Sequence, residues 1–149
     1  MQITCLPRKV FLLLLIMACI SCKKDEQPIP IAYVDFWLDI NLPQYAKLKT
    51  PGNMLLLDDN VNGTNNAPNG VLIYRINDVF MAYDNRCTYH QNESVELNIQ
   101  ADNVLITCDQ CGSQFVITDG SVTKGPASAP LLQYQTSFDG TIVRVFNSN

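Results

Sequence analysis

Short apolar runs, each ended by a turn signal, recur along this chain from Val34 to Phe146. Runs spaced about every 8–12 residues, with no helical pattern between them, favour an all-β sandwich or small barrel. No stretch keeps a helical apolar period for more than a turn or two, so we expect little helix. The predicted strand segments are Val34–Ile40, Met54–Leu57, Val71–Ile76, Val79–Tyr83, Val104–Thr107, Gln114–Ile117, Leu132–Thr136 and Thr141–Phe146.

The turn signals are residues that tolerate tight backbone conformations. Asn77-Asp78 joins two apolar runs and predicts a two-residue hairpin connection. Asp119-Gly120 and Asp139-Gly140 predict two further turns, and the asparagine-rich stretch from Asn60 to Gly70 predicts a loop. Pro43 ends the first run because proline cannot donate to a central ladder. Three aromatic residues are expected in the core, namely Trp37, Phe80 and Phe115.

The first 22 residues have the composition of an export signal. Two basic residues precede the apolar run Val10–Ala18, which is shorter than the roughly 20 residues that a spanning helix needs. Ser21-Cys22 follows, and a small residue before a cysteine resembles the bacterial lipobox, where the cysteine is acylated and becomes the N-terminus. We predict a lipoprotein signal peptide with lipidation at Cys22. Cys19 is the alternative acylation site, and an ordinary cleaved signal or an uncleaved anchor stays open.

Lipid attachment makes the exported part membrane-anchored rather than membrane-spanning. Residues 1–22 are the predicted signal peptide, residues 23–32 a short extended tether and residues 33–149 the β domain. We expect the protein in the bacterial cell envelope, at the outer membrane. From Lys23 onward there are eight basic and fourteen acidic residues, a formal charge of −6. No basic patch is present to neutralise phosphates, so nucleic-acid binding is excluded as a function class.

Four residues have the spacing of a metal site. Cys87-x-x-His90 is followed, after seventeen intervening residues, by Cys108-x-x-Cys111. A Cys-x-x-Cys turn lets two thiolates reach one ion, and four such ligands suit tetrahedral zinc or an iron–sulfur cluster. A disulfide between Cys108 and Cys111 that leaves Cys87 free is a second reading in an exported protein. A third reading treats the cysteines as packed remnants without metal.

The residues around these cysteines resemble a known family. Cys108-Asp109-Gln110-Cys111-Gly112-Ser113-Gln114-Phe115, followed by Asp119-Gly120 and Gly125-Pro126-Ala127, is similar to the second half of a Rieske domain. The resemblance runs from about Val71 to Phe146 and places Cys87 on the cysteine of the first ligand box. It implies a Rieske-like β fold with a two-loop subdomain that holds a [2Fe–2S] cluster.

The chain departs from the family pattern at two ligand positions. Tyr89 stands where the first box has its histidine, and Cys111 stands where the second box has its own. Because His90 is the chain's only histidine, a cluster with two histidine ligands is impossible within one chain. The resemblance leaves a site of Cys87, Cys108, Cys111 and His90, and His90 is the least secure ligand because an extended segment would turn it away from Cys87.

These features together predict a membrane-anchored Rieske-like iron–sulfur protein with a low-potential electron-transfer or redox-subunit role. A redox protein is the expected partner beside the lipid bilayer. We expect a carrier or subunit rather than a stand-alone catalyst, since the sequence contains no recognisable catalytic motif. The alternative is a structural or interaction lipoprotein whose Rieske-like fold holds zinc or no metal. Asp109, Gln110 and Ser113 are expected beside the metal, with Ser113 as a hydrogen-bond donor towards a sulfur.

Overall fold

Strands dominate the computed structural model, which describes residues 33–58, 67, 69–90, 95–100 and 104–147. The predicted signal peptide, the tether, both lipidation candidates and most of the asparagine-rich loop lie outside these residues. The elements, in chain order, are β1 Asp35–Asp39, a 3-10 helix Pro43–Lys49, β2 Met54–Leu57, β3 Val71–Ile76, β4 Val79–Asp84, β5 Asn98–Ile99, β6 Leu105–Thr107, β7 Gln114–Val116, β8 Val122–Lys124, β9 Gln133–Phe138 and β10 Ile142–Phe146. Within the described residues, no helix is both long enough and apolar enough to cross a membrane.

The strands form two antiparallel sheets. A six-stranded sheet with the order β1-β10-β9-β4-β3-β2 curls into a half-barrel, and a small sheet has the order β5-β6-β7-β8. The prediction of an all-β, Rieske-like fold is therefore confirmed. The turn at Asn77-Asp78 joins β3 to β4 as expected, with Asn77 at a φ of 52°, a conformation that asparagine tolerates.

Alternation along β1 shows how the half-barrel encloses its core. Phe36 and Leu38 are buried against the other strands, while Trp37 between them faces outward, since successive side chains of a strand point to opposite faces. Phe80 and Phe115 are buried as predicted, but the prediction that Trp37 lies in the core is wrong, because 60% of its surface is exposed.

Three elements were not predicted from the sequence. The 3-10 helix begins at Pro43, where proline ends the first strand run and its fixed φ suits a helical first turn. Strands β5 and β8 have two and three residues, too few for a period of two to stand out. Both lie at the edges of the small sheet, where pairing with a neighbouring strand defines them.

A second hydrophobic cluster joins the half-barrel to the small sheet. It contains Tyr83 at the end of β4, Ile106 and Phe115 of the small sheet, and the two buried cysteines Cys87 and Cys108. The predicted metal ligands thus lie in the packing layer between the two sheets.

Candidate metal centre

The first metal loop leaves the end of β4 and forms a tight turn over residues 87–90. The Cys87 N–H donates to the Val95 carbonyl at 3.0 Å, and the His90 N–H donates to the Cys87 carbonyl at 3.1 Å. The segment is therefore a turn and not an extended strand. The extended-segment reason for placing His90 away from the cysteine does not apply to this loop.

The second metal loop connects β6 to β7 and carries the other two cysteines. The Gly112 N–H donates to the Cys108 carbonyl at 2.7 Å, and the Cys108 N–H donates to the Ser113 carbonyl at 2.9 Å. Gly112 has a φ of +75°, and nothing lies within 4 Å of where a Cβ would stand. Glycine is required here by the left-handed backbone and not by lack of space.

The two loops bring three sulfur atoms together. The Sγ atoms of Cys87, Cys108 and Cys111 all lie within 4.8 Å of one another. The Sγ atoms of Cys87 and Cys111 are 3.7 Å apart. Cys87 and Cys108 are fully buried and Cys111 is partly exposed. All three are free thiols, so the structure contains no Cys108–Cys111 disulfide.

Ser113 lies against the partly exposed cysteine. Its Oγ is 3.0 Å from Cys111 Sγ and accepts the Ala127 N–H at 2.9 Å. An ionised Cys111 sulfur has no hydrogen of its own, so the Ser113 hydroxyl is the donor to the thiolate, and this hydrogen bond lowers the pKa of Cys111. This arrangement agrees with the predicted role of Ser113 as a donor towards sulfur.

The surroundings give two of the thiols different acidities. Burial raises the pKa of Cys87 to about 12, and a hydrogen bond with Cys108 adds to the rise. Burial also opposes ionisation of Cys111, but hydrogen bonds from Ser113 and from the neighbouring thiols together lower its pKa to about 7. Cys111 therefore ionises to a nucleophile or metal ligand far more readily than Cys87 near neutral pH.

A third loop supports both metal loops from behind. Ala127 in this loop holds Ser113, and the Thr88 hydroxyl donates to the Ala129 carbonyl at 2.7 Å. Thr88 is 3% exposed, so this hydrogen bond is sheltered from water. Sequence reasoning missed Thr88 because its partner lies 41 positions away. The sequence signals that this loop belongs to the site are the Gly125-Pro126-Ala127 segment and Pro130-Leu131, which both resemble the Rieske pattern.

A buried ion pair precedes Cys87 and was not predicted. Arg86 donates to both carboxylate oxygens of Asp84 at 2.9 Å, and the Tyr134 hydroxyl donates to Asp84 Oδ2 at 2.9 Å. The hydrogen bonds that Arg86 donates to Asp84 raise the pKa of Arg86. Burial, with the negative charge of Asp84, raises the pKa of Tyr134. The network ties the start of the first metal loop to β9.

The remaining predicted site residues lie around the sulfur group. His90 contributes no ring nitrogen to the group of ligand atoms found among the described residues. Its ring packs edge-on against Tyr89, with centroids 5.1 Å apart. Asp109 accepts a hydrogen bond from the Asn98 amide, which links the second metal loop to β5. Asp109 and Gln110 are both exposed.

Comparison with known proteins identifies the family of this chain. The family model of the Rieske [2Fe–2S] domain matches residues 45–136. The chain belongs to the Rieske [2Fe–2S] domain family. The comparison with curated proteins gives no significant match.

Several solved structures are similar to this chain. The ferredoxin of carbazole 1,9a-dioxygenase from Nocardioides aromaticivorans IC177 is 23% identical, with 68% of this chain and 93% of that chain covered and a TM-score of 0.47. The plasma membrane Rieske protein PetC3 from Synechocystis PCC 6803 is 27% identical, with 50% and 74% covered and a TM-score of 0.43. A complex of reduced oxygenase and oxidised ferredoxin in carbazole 1,9a-dioxygenase gives 20% identity, 76% and 94% coverage and a TM-score of 0.49.

The donor chemistry of the site suits the family's cofactor. Thiolates are the ligands that iron–sulfur clusters use most, and Cys87, Cys108 and Cys111 converge here from the two ligand loops. In a two-iron cluster they would hold three of the four terminal ligand positions. His90, in the turn beside Cys87, remains the predicted fourth ligand.

Proposed function

We propose that this chain is a lipid-anchored Rieske protein that transfers single electrons through a [2Fe–2S] cluster. Cys87, Cys108 and Cys111 would hold the cluster, with His90 at the fourth position. The observation that carries this proposal is the convergence of three free thiols from the two loops that hold the cluster in the Rieske family. The cluster would supply the one-electron chemistry, and the protein would supply ligation, burial and orientation.

The ligand set supports a low reduction potential. A thiolate at Cys111 adds a negative charge where the family has a neutral imidazole, and this charge opposes the addition of an electron. With one imidazole instead of two, the centre would also depend less on pH. The Ser113 hydroxyl works in the opposite direction, because a hydrogen bond to Cys111 Sγ stabilises negative charge on the sulfur.

A carrier of this kind needs a redox protein partner. Tyr89 is 41% exposed and is part of the first metal loop, while Cys111 in the second loop is partly exposed. An electron would leave the site through the loop surface around these two residues. We propose that a partner docks there.

Anchoring follows from the predicted lipobox. Acylation of Cys22 would hold the domain on the cell envelope, at the outer membrane, through the tether of residues 23–32. More than one acyl chain on this cysteine gives stable attachment, because one chain alone binds only marginally.

One observation favours a second candidate, a single zinc ion in the same fold. Tetrahedral zinc with Zn–S bonds of about 2.3 Å places its sulfur ligands about 3.8 Å apart. The separation of 3.7 Å between Cys87 and Cys111 is close to this spacing. A two-iron cluster sets its ligands in two pairs, one on each iron, so ligands on different irons stand farther apart. Such a protein would have a structural or interaction role.

Metal analysis of the full chain purified without oxygen separates these candidates. Two iron and two sulfide per chain, with absorption in the visible region, are expected for the cluster. One zinc per chain and a colourless protein would support the second candidate and contradict electron transfer. The variant Tyr89→Phe is the matched control, because it changes the same loop without removing a thiolate. A chain without iron or zinc would contradict both candidates.

A further inference from the structure

An aromatic face lies on the outside of the half-barrel, at its edge strand. It consists of Tyr33, Trp37 and Phe146, together with Arg144 and Asp35. The register pairs Trp37 with Arg144 and Asp35 with Phe146 across β1 and β10, so these four side chains share one side of the sheet. Tyr33 and Trp37 are 62% and 60% exposed.

The residues of this face hold one another in place. The Arg144 guanidinium stacks over the rings of Trp37, at 5.1 Å, and Phe146, at 4.7 Å. The same guanidinium donates to both carboxylate oxygens of Asp35 at 2.9 Å. The opposite charges of Arg144 and Asp35 therefore neutralise each other next to the rings. The aromatic face presents a pre-ordered, locally neutral aromatic surface to its surroundings.

Such a surface suits a boundary between water and an apolar phase. Tyrosine and tryptophan collect at membrane–water interfaces because each has an apolar body and a polar end. A cavity of about 380 Å³ beside the rings is lined by Asp35, Gln135, Arg144 and Asn147 as well as by Tyr33 and Phe146. Its mixture of charged, amide and aromatic groups matches the headgroup region and not the hydrocarbon interior.

The aromatic face lies close in sequence to the predicted lipidation site, which indicates that a membrane covers it. Tyr33 is eleven residues beyond Cys22, and eleven residues span at most about 39 Å when fully extended. An acylated Cys22 therefore holds β1 near the membrane. Because the tether keeps this strand close to the lipid, even a weak interfacial contact is favoured by a high effective concentration.

We propose that the aromatic face rests in the headgroup region of the bilayer and orients the anchored domain. This inference rests on the proposed lipidation of Cys22. The face occupies β1 and β10, and β9 lies between β10 and β4, so at least two inter-strand spacings, about 10 Å, separate the aromatic face from the strand that leads to Cys87. The bilayer contact and the metal loops are thus on different strands of the sheet.

The experiment uses the fluorescence of Trp37, the only tryptophan of the chain. The acylated full chain is placed in phosphatidylcholine vesicles with and without brominated acyl chains. We expect the bromolipid to quench Trp37, and acrylamide quenching to fall severalfold compared with the non-acylated Cys22→Ser chain. Tyr33→Ser should restore part of the acrylamide quenching, because it removes a second ring from the contact.

A matched reporter distinguishes a specific contact from mere proximity to the membrane. In the double variant Trp37→Phe, Val79→Trp, the tryptophan stands at another exposed position, at the start of β4. Bromolipid should leave this reporter unquenched. Equal quenching at the two positions, or none at Trp37, would overturn the proposal. A response of Trp37 to a soluble N-acetylglucosamine oligomer instead of vesicles would also overturn it and would assign the face to a sugar.

Lipid labelling of Cys22 in the same samples separates the two proposals. A labelled chain whose Trp37 stays accessible to acrylamide overturns the bilayer contact alone. An unlabelled chain that does not bind vesicles overturns both the anchoring and the contact.

Discussion

The sulfur atoms of Cys87 and Cys111 lie 3.7 Å apart, although the two residues are 24 positions apart in the chain. This contact joins a loop that leaves the half-barrel to a loop of the small sheet. A metal held by both loops would therefore lock the two sheets together. Metal binding and folding of the two loops are expected to be coupled.

Substitution of each thiol tests the three-cysteine site. Cys87→Ser, Cys108→Ser and Cys111→Ser should each remove most of the metal and destabilise the two loops together, because oxygen is a poor replacement for a thiolate at a soft site. Metal content and thermal unfolding of the purified variants provide the measurement. The site is wrong if Cys87→Ser leaves both metal content and unfolding unchanged.

His90→Ala should lower metal content less than any of the three cysteine substitutions. Water or a neighbouring side chain can take the place of His90 as the fourth ligand. The three cysteine sulfurs, in contrast, already lie together and would hold the metal. Tyr89→Phe in the same turn is the control and should leave metal content unchanged. A complete loss of metal in His90→Ala would show that His90 is a ligand as essential as the cysteines.

Ser113→Ala should make reduction of the centre harder. The substitution removes the hydroxyl that donates to Cys111 Sγ and leaves the buried Ala127 N–H without its acceptor. The unpaired N–H should cost about 1–3 kcal/mol of unfolding free energy. Redox titration and denaturant unfolding give the two values. Ser137→Ala, an exposed serine of β9, should change neither, and an unchanged potential in Ser113→Ala would contradict the role given to its hydroxyl.

The unfolding free energy of the metal-free protein should depend on pH with a maximum near pH 9. The pKa of Cys111 is lowered to about 7 from an ordinary value of 9.0, so its contribution is complete above pH 9 and is lost as the pH falls through 7. The pKa of Cys87 is raised from 9.0 to about 12, so its contribution is complete below pH 9 and is lost as the pH rises towards 12.

Denaturant unfolding of the metal-free chain between pH 6 and pH 11 measures this profile. Cys111→Ser should remove the increase between pH 7 and pH 9 and keep the decrease above it. The raised pKa values of the buried tyrosines Tyr83 and Tyr134 add to the decrease above pH 10. An unchanged rise in the Cys111→Ser chain would mean that another group titrates.

Asp84→Asn should be among the most destabilising single substitutions in the half-barrel. It leaves the buried Arg86 charge uncompensated, which typically costs about 3–5 kcal/mol. Asp35→Asn is the matched control, because Asp35 forms the same two-oxygen pair with Arg144 but at a more exposed position. That exposed pair should contribute much less to the unfolding free energy, because water screens its charges. Equal losses in the two variants, measured by denaturant unfolding, would contradict the role of burial.

Cys22→Ala should abolish lipid labelling and membrane fractionation of the full chain. The apolar run before Ser21-Cys22 has the length of a signal-peptide core, and acylation needs the cysteine itself. Labelling with a fatty-acid analogue measures the effect, and Cys19→Ala is the control. Labelling that survives in Cys22→Ala and is lost in Cys19→Ala would move the anchor to Cys19.

Trp37 and Cys87 illustrate how far the sequence alone predicts this protein. The sequence determined the β class, most strand positions and the hairpin at Asn77-Asp78, because alternation and turn residues act within a few positions of the chain. It also identified the three cysteines by their spacing. Tertiary structure decided that Trp37 is exposed, since alternation separates the two faces of a strand without saying which face the other strands cover.

The same distinction explains the residues that sequence reasoning missed. Thr88 bonds to Ala129, 41 positions away, and Asp84 to Tyr134, 50 positions away. No local pattern encodes such pairs, because each polar group finds its partner only after the sheets have packed. The approach of Cys87 to Cys111 is likewise a product of packing, so the chain's spacing determined which residues could bind a metal and the fold decided which of them meet.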